Sequence, residues 1–135
     1  MLNEEIKPRF SELDGLGHIN NTTLPIWFEH ARTPLFEIFN PNLELNNWNL
    51  ILKKMDVEFV AQIFYGKNIV VKTWVEHIGN SSFVVQQQAW QQDKLVAKGS
   101  CVMIYFNYKD EKTETIPDNC RTQLEGLRRL NTDGE

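Results

Sequence analysis

The sequence predicts an α+β fold, with one long helix laid on an antiparallel sheet of about five strands. Three observations carry this. Apolar residues at Leu24, Trp27, Phe28, Ala31, Leu35 and Phe39 follow the three-and-four spacing of a helix with one buried stripe. From Val57 onward the pattern changes to alternation and β-branched runs, cut by the turn sequences YGKN, GNSS and DK. The chain has 135 residues, so one domain spanning 1–135 is the expectation, with no second core.

In chain order, residues 4–12 can form a first strand, with Pro8 placing it at an edge or in a bulge. Asn20, Asn21 and Thr22 are all good helix caps, and Pro25 suits a first turn, where its missing N–H costs nothing. Pro34 cannot bond to the carbonyl of His30, so it should kink the helix or end its first segment. Asn40-Pro41-Asn42 closes the element. Glu29 and Arg32 are one turn apart, which suits an intrahelical ion pair, and Trp27 and Phe28 belong to the core stripe.

Val57, Phe59, Ala61 and Ile63 alternate as a second strand. Strands over 69–78, 83–92 and 95–108 follow as a meander. The last is apolar on both faces: Val102, Ile104 and Phe106 on one, Cys101, Met103 and Tyr105 on the other. Such a strand calls for cover on both sides, by the helix on one and a second subunit on the other. LEGLRRL (124–130) suits a short helix, and a tail at about 130–135 should fray.

Composition narrows the function. The net charge of −4 argues against nucleic acid as a partner, because phosphate neutralisation needs a basic surface. No apolar run approaches the roughly 18–20 residues of a membrane span, and MLNEEIKPRF lacks the order of a signal peptide. Cys101 and Cys120 fit no metal or redox spacing and read as reduced thiols of a cytoplasmic protein. Three scattered histidines, His18, His30 and His77, make no metal site, and no P-loop, nucleophile elbow or dinucleotide fingerprint occurs, so no cofactor is implied. Four Trp, eight Phe and three Tyr exceed what one small core needs, so some of that surface should meet a ligand or a second subunit.

The chemistry concentrates in ELDGLGHINNTTLPIWFEHAR, residues 12–32. An acid, glycines, a histidine and two amides stand where a strand hands over to a helix. The helix start offers unpaired N–H groups and a positive dipole end, a ready oxyanion site. Asp14 lies just upstream on a glycine-flanked loop that lets backbone approach a ligand closely. Taken alone, Asp14 is also a turn residue that bonds its own backbone. His18 could orient that carboxylate, share a proton with it, or hold the loop through a backbone contact.

Glu12, Asp14, Gly17, His18, Asn20, Asn21, Phe28, Glu29, Ala31 and Arg32 together resemble the signature of hotdog-fold acyl-CoA thioesterases of the 4-hydroxybenzoyl-CoA thioesterase type. VEFVAQIFYGKNIVVKTWVEHIGNSSFVV resembles the strands and turns that follow in that family, so the resemblance runs from about residue 5 to 117. It implies a hotdog fold, a homodimer or homotetramer with active sites at subunit interfaces, and hydrolysis of acyl-CoA to free acid and CoA. It also implies Asp14 as general base or nucleophile, the Asn21 N–H as oxyanion donor and His18 as organiser. Gly17, Asn20 and Leu24 would meet substrate, and Ser81 and Ser82, first of all turn residues, would touch a pantetheine arm from a neighbouring subunit.

Two positions depart from the family. Leu24 replaces its usual Tyr, removing a phenol from the helix mouth, and Glu12 stands where Asp is commoner. Arg9, Lys53, Lys54 and Lys67 are candidates for CoA phosphates on charge alone, and Glu58 is a second carboxylate on a strand. Two alternatives share the fold: release of acyl groups from a carrier protein, and a non-catalytic acyl-CoA binding or assembly module. A dehydratase of the same fold would need a His-Phe-Pro motif, which is missing.

Overall fold

The computed structural model describes residues 1–129, so the expected frayed tail and the end of LEGLRRL lie outside the described residues. Strand β1 is Leu2–Ile6, shorter than the expected 4–12. Beyond Pro8 the Glu12 carboxylate accepts bonds from the Arg9 N–H at 2.6 Å and the Arg9 guanidinium at 3.1 Å. With the Glu12 N–H bonded back to the Arg9 carbonyl at 2.9 Å, these bonds draw Phe10–Glu12 into a 3₁₀ turn instead of extended chain.

The expected single long helix is two short ones, α1 (Thr23–Ala31) and α2 (Thr33–Phe39), meeting at Arg32. Pro34 is the physical reason. It leaves the His30 carbonyl without a helical donor, and the Thr33 hydroxyl takes it at 2.7 Å. The apolar stripe is as read: Leu24, Trp27, Phe28, Ala31, Leu35 and Phe39 are all buried. The Glu29–Arg32 ion pair is not formed. Arg32 falls on the inward face at the helix junction, is 4 % exposed, and donates from Nη1 to Gln87 Oε1 at 3.1 Å.

The sheet is antiparallel, in the order β1, β3 (Ile69–Ile78), β4 (Ser82–Gln91), β5 (Lys94–Asn107) and β2 (Leu50–Phe59), with two-residue β6 (Lys112–Thr113) paired to β5. Strands β3, β4 and β5 lie within one residue of their expected limits. Strand β2 does not. It runs Leu50–Phe59, and Lys53 is bulged out between Leu52 and Lys54. It stops before Ala61 because the Val60 and Ala61 N–H groups both bond to the Val96 carbonyl, turning the chain off the sheet. Helix α3 is Asp118–Glu125, starting upstream of LEGLRRL and ending at its second residue, with Cys120 and Leu124 buried one turn apart. Gly126 follows its last residue. The Val75 N–H then bonds to the Leu127 carbonyl at 3.0 Å, covering β3 where short β1 leaves it open.

The helices cover one face of the sheet, over Val71, Val75, Phe83, Val85, Ala89, Ala97, Cys101 and Met103. On the other face of β5, Val102, Ile104 and Phe106 remain half-buried, so within one chain only one side of that strand is covered. Both cysteines are free and buried, and burial pushes both thiols above their ordinary range. Among the described residues no helix is long and apolar enough to cross a membrane.

Gly99 lets the helix sit flush on the sheet. A Cβ there would lie 2.8 Å from Phe28 Cε2 and 3.1 Å from the Asp56 carbonyl oxygen. Phe28 is 1 % exposed and has nowhere to move. Gly99→Ala is therefore expected to destabilise the fold by about 1–3 kcal/mol through overpacking. Chemical denaturation of the two proteins measures it.

Candidate functional site

The loop between the 3₁₀ turn and α1 is built on Glu12. Its buried carboxylate takes the Arg9 bonds and the Trp27 indole N–H at 2.9 Å, while its carbonyl accepts the Asn20 N–H at 2.7 Å. Burial alone would raise this carboxyl. The Arg9 and Trp27 hydrogen bonds and the Arg9 charge outweigh that and hold it below the usual range. Both ends of the loop are thus tied to one side chain. That suits an acid longer than Asp, which reaches from the turn to the helix indole.

Within the loop, the Asp14 N–H bonds to the His18 carbonyl at 2.7 Å, and Asp14 Oδ1 accepts the N–H groups of Leu16 at 2.8 Å and His18 at 3.0 Å. The turn needs a left-handed residue at its tip, which Gly17 supplies with φ of +82°. The carboxylate is therefore a turn residue, as its local sequence suggests. Its Oδ2 accepts no bond among the described residues. The Leu16 N–H, then the His18 N–H, hold its pKa below the ordinary Asp value, so it is ionised at neutral pH. His18 acts on Asp14 through its backbone, while its ring packs edge-on against Phe64, with centroids 5.6 Å apart.

At the helix mouth Asn20 does the capping. Its Oδ1 accepts the Thr22 N–H and hydroxyl, both at 3.0 Å, and its carbonyl accepts the Thr23 N–H at 2.9 Å. Among the described residues the Asn21 N–H forms no bond. It stands at the positive end of α1 with nothing to donate to.

These groups share one cleft of about 720 Å³. Asp14, His18, Asn20, Asn21 and Leu24 form one wall. The chain leaving β2, from Phe59 to Ile63, forms the other. Leu24, 1 % exposed, lines it with hydrocarbon where a tyrosine would have brought a hydroxyl. Gly17 sits at the loop tip, outside the wall. Ser81 and Ser82 are not brought here. They close the β3–β4 hairpin at the far end of both strands, where the Gly79 N–H bonds to the Ser82 carbonyl and the Tyr105 N–H to that of Ser81. Exposed Leu16 and Phe59 line the cleft, and exposed Phe64 packs beside it on the His18 ring, so its mouth carries an apolar collar.

The other flagged side chains stand outside the cleft wall. Arg9 is committed to Glu12, and Lys53, Lys54 and Lys67 are exposed outside it. Glu58 lies 4.0 Å from Lys98, His30 bonds Glu4 at 2.9 Å, and His77 is exposed. Among the described residues no group of three or more His, Cys, Asp or Glu is placed to hold a metal. One supporting residue escaped the sequence reading. Gln91, 5 % exposed, clamps the wall beyond β2 by accepting the Phe64 N–H and donating to the Phe64 and Lys67 carbonyls. The alternation of β4 put Phe83, Val85, Gln87, Ala89 and Gln91 on one buried face, and that was the available signal.

Comparison with known proteins bears on the family and the fold. The family model of the thioesterase-like superfamily matches residues 8–124. A predicted thioesterase from Bacillus stearothermophilus is 38% identical in its solved structure, with a TM-score of 0.93 over 97% of this chain and 98% of that one. A thioesterase from Thermus thermophilus, solved with coenzyme A and Zn, has the same fold at 24% identity, with a TM-score of 0.81 over 91% of this chain and 96% of the other. Protein YsmA of Bacillus subtilis is 26% identical over 121 residues, 83% of this chain and 82% of its own length.

Proposed function

The chain belongs to the thioesterase-like superfamily, and from that premise we propose that it hydrolyses acyl-CoA thioesters to free acid and CoA as a single-domain hotdog protein of the cytoplasm. The observation that carries the reading is the pairing within one cleft of an ionised carboxylate with a free oxygen, Asp14, and an unpaired N–H just ahead of α1, that of Asn21. A thioester carbonyl needs both, a group to deliver electrons to its carbon and a donor for the oxygen that becomes negative.

In this mechanism the carbonyl oxygen accepts the Asn21 N–H. Asp14 Oδ2 either takes a proton from an attacking water or itself bonds to the carbonyl carbon, giving an anhydride that water then opens. In both routes the C–S bond breaks as the oxyanion collapses; the CoA sulfur leaves as thiolate and takes its proton from Asp14 in the first route and from solvent in the second. His18 keeps the carboxylate aimed through the two backbone bonds it shares with Asp14. Leu24 and the apolar collar favour an apolar acyl group. The fold neighbour solved with coenzyme A supports CoA as the carrier.

The half-buried outer face of β5 and the exposed apolar collar support a homodimer or homotetramer, in which a neighbouring copy would bring Ser81 and Ser82 toward the pantetheine arm. The reading is tested by thiol release from matched acyl-CoA and carrier-bound acyl substrates across chain lengths. Faster turnover of the CoA series supports it. Preference for the carrier protein would move the activity to that substrate, and no hydrolysis of either would leave only a binding role.

The depressed Asp14 pKa fixes the acid limb. A base or nucleophile must be ionised, and the folded pKa lies below the ordinary Asp value, so kcat/KM is expected to hold level as pH falls through the usual carboxylate range. A pH profile at fixed ionic strength measures it. A limb near or above the ordinary Glu value would assign the titration to another group.

A further inference from the structure

A second cavity, separate from the catalytic cleft, lies between the helices and the first half of β2. It measures about 320 Å³, and its walls are Phe36, Trp48, Leu50, Leu52 and Met103, with Glu29 at the rim and Arg32 beneath. Phe36 and Trp48 meet edge to face at 5.6 Å. The arginine is the anomaly. It is 4 % exposed, no carboxylate lies within ion-pair distance among the described residues, and its Nε is buried with no partner.

Its one side-chain hydrogen bond among the described residues is fixed from the other side. Gln87 Nε2 is held by the Phe28 carbonyl at 2.9 Å and Thr73 Oγ1 at 3.1 Å, which turns Oε1 toward the guanidinium. A neutral amide answers the charge only weakly. Burying a guanidinium costs several kcal/mol unless an anion or a full set of acceptors compensates. A cavity with hydrocarbon and aromatic walls above such a cation has the chemistry of a carboxylic acid with an apolar body.

We propose that this cavity binds a small apolar monocarboxylate, its carboxylate bonded to Arg32 and its body against Phe36, Trp48 and Met103. The site itself stands on Arg32 and the cavity. Only the identification of this ligand with the acid released by hydrolysis rests on the thioesterase reading. It would then be a product site distinct from the place where product forms.

Benzoate and hexanoate, with benzamide as the neutral counterpart, test it by tryptophan fluorescence titration and calorimetry, neither of which needs turnover. Benzoate should bind saturably in the millimolar range, and benzamide about ten- to a hundredfold more weakly, the worth of one charged hydrogen bond. Leu52→Trp, on the exposed side of the cavity, should abolish binding while keeping the wild-type melting temperature. Arg32→Gln should lose it and Arg32→Lys recover part of it. Asp14→Asn should bind benzoate as the wild type does, even where hydrolysis is lost, so the two proposals fail separately. Equal affinity for benzamide, unchanged binding by Leu52→Trp, or a benzoate-soaked crystal in which water or a second copy's carboxylate sits on Arg32 would each overturn the proposal.

Discussion

Asp14→Asn is expected to lower kcat/KM for acyl-CoA hydrolysis by about a hundred- to ten-thousandfold, the range for losing a positioned base or nucleophile. The substitution isolates charge from architecture. An asparagine Oδ1 can still accept the Leu16 and His18 N–H groups that shape the loop, so the turn around Gly17 should survive. What disappears is the negative Oδ2. Thermal melting should therefore match the wild type while turnover collapses, and steady-state thiol release measures the difference. An equally fast mutant would remove Asp14 from the chemistry.

Asn21→Pro is expected to cost about a hundred- to a thousandfold in kcat, the effect of deleting one oxyanion donor. Asn21→Ala should stay within a few-fold of wild type. The contrast follows from the assignment to backbone, not side chain: proline removes the N–H, and alanine keeps it. Proline is tolerated at the start of a helix, where N–H groups lack helical partners. The cap itself rests on Asn20 Oδ1 and its carbonyl, neither of which belongs to residue 21. Circular dichroism and melting of both variants guard against a folding defect. If alanine damages turnover as much as proline, the amide side chain does the work and the oxyanion assignment is wrong.

Much of the fold could be read from periodicity because the decisive residues are local. Strands β3, β4 and β5 carry β-branched and aromatic runs between strong turns, and their limits hold to within one residue. The helical stripe from Leu24 to Phe39 is also as read, and Pro34 signalled the break that divides it. Elements fixed by distant partners were not legible. The first half of β2, LILKKMD, has no clean alternation, and it is a strand because β5 pairs with it across the Lys53 bulge. The break of the first strand into a 3₁₀ turn depends on the Arg9–Glu12 cap, whose value appears only when Trp27 arrives from the helix.

The candidate site divides in the same way. Asp14, His18, Asn20, Asn21 and Leu24 are close in sequence, so their convergence on one cleft was legible. The opposite wall, Phe59 to Ile63, reads as strand in the sequence, yet it leaves the sheet because Val96 captures two successive N–H groups. Arg32 departs from its expected pairing for a related reason. Spacing on a helix suggests Glu29 as its partner, but spacing does not say that the helix junction turns the side chain inward to Gln87. Ser81 and Ser82 stay far from the cleft within one chain, so any role they have depends on a second copy.

The most direct test of the central claim is a crystal structure with an acyl-CoA analogue whose thioester sulfur is replaced by methylene, which keeps the carbonyl and cannot be cleaved. The account predicts the carbonyl oxygen within hydrogen-bond distance of the Asn21 N–H, with Asp14 Oδ2 or a water bonded to it facing the carbonyl carbon. A carbonyl bound away from the start of α1, or an Asp14 carboxylate turned from it with both oxygens held by the loop, would contradict the account.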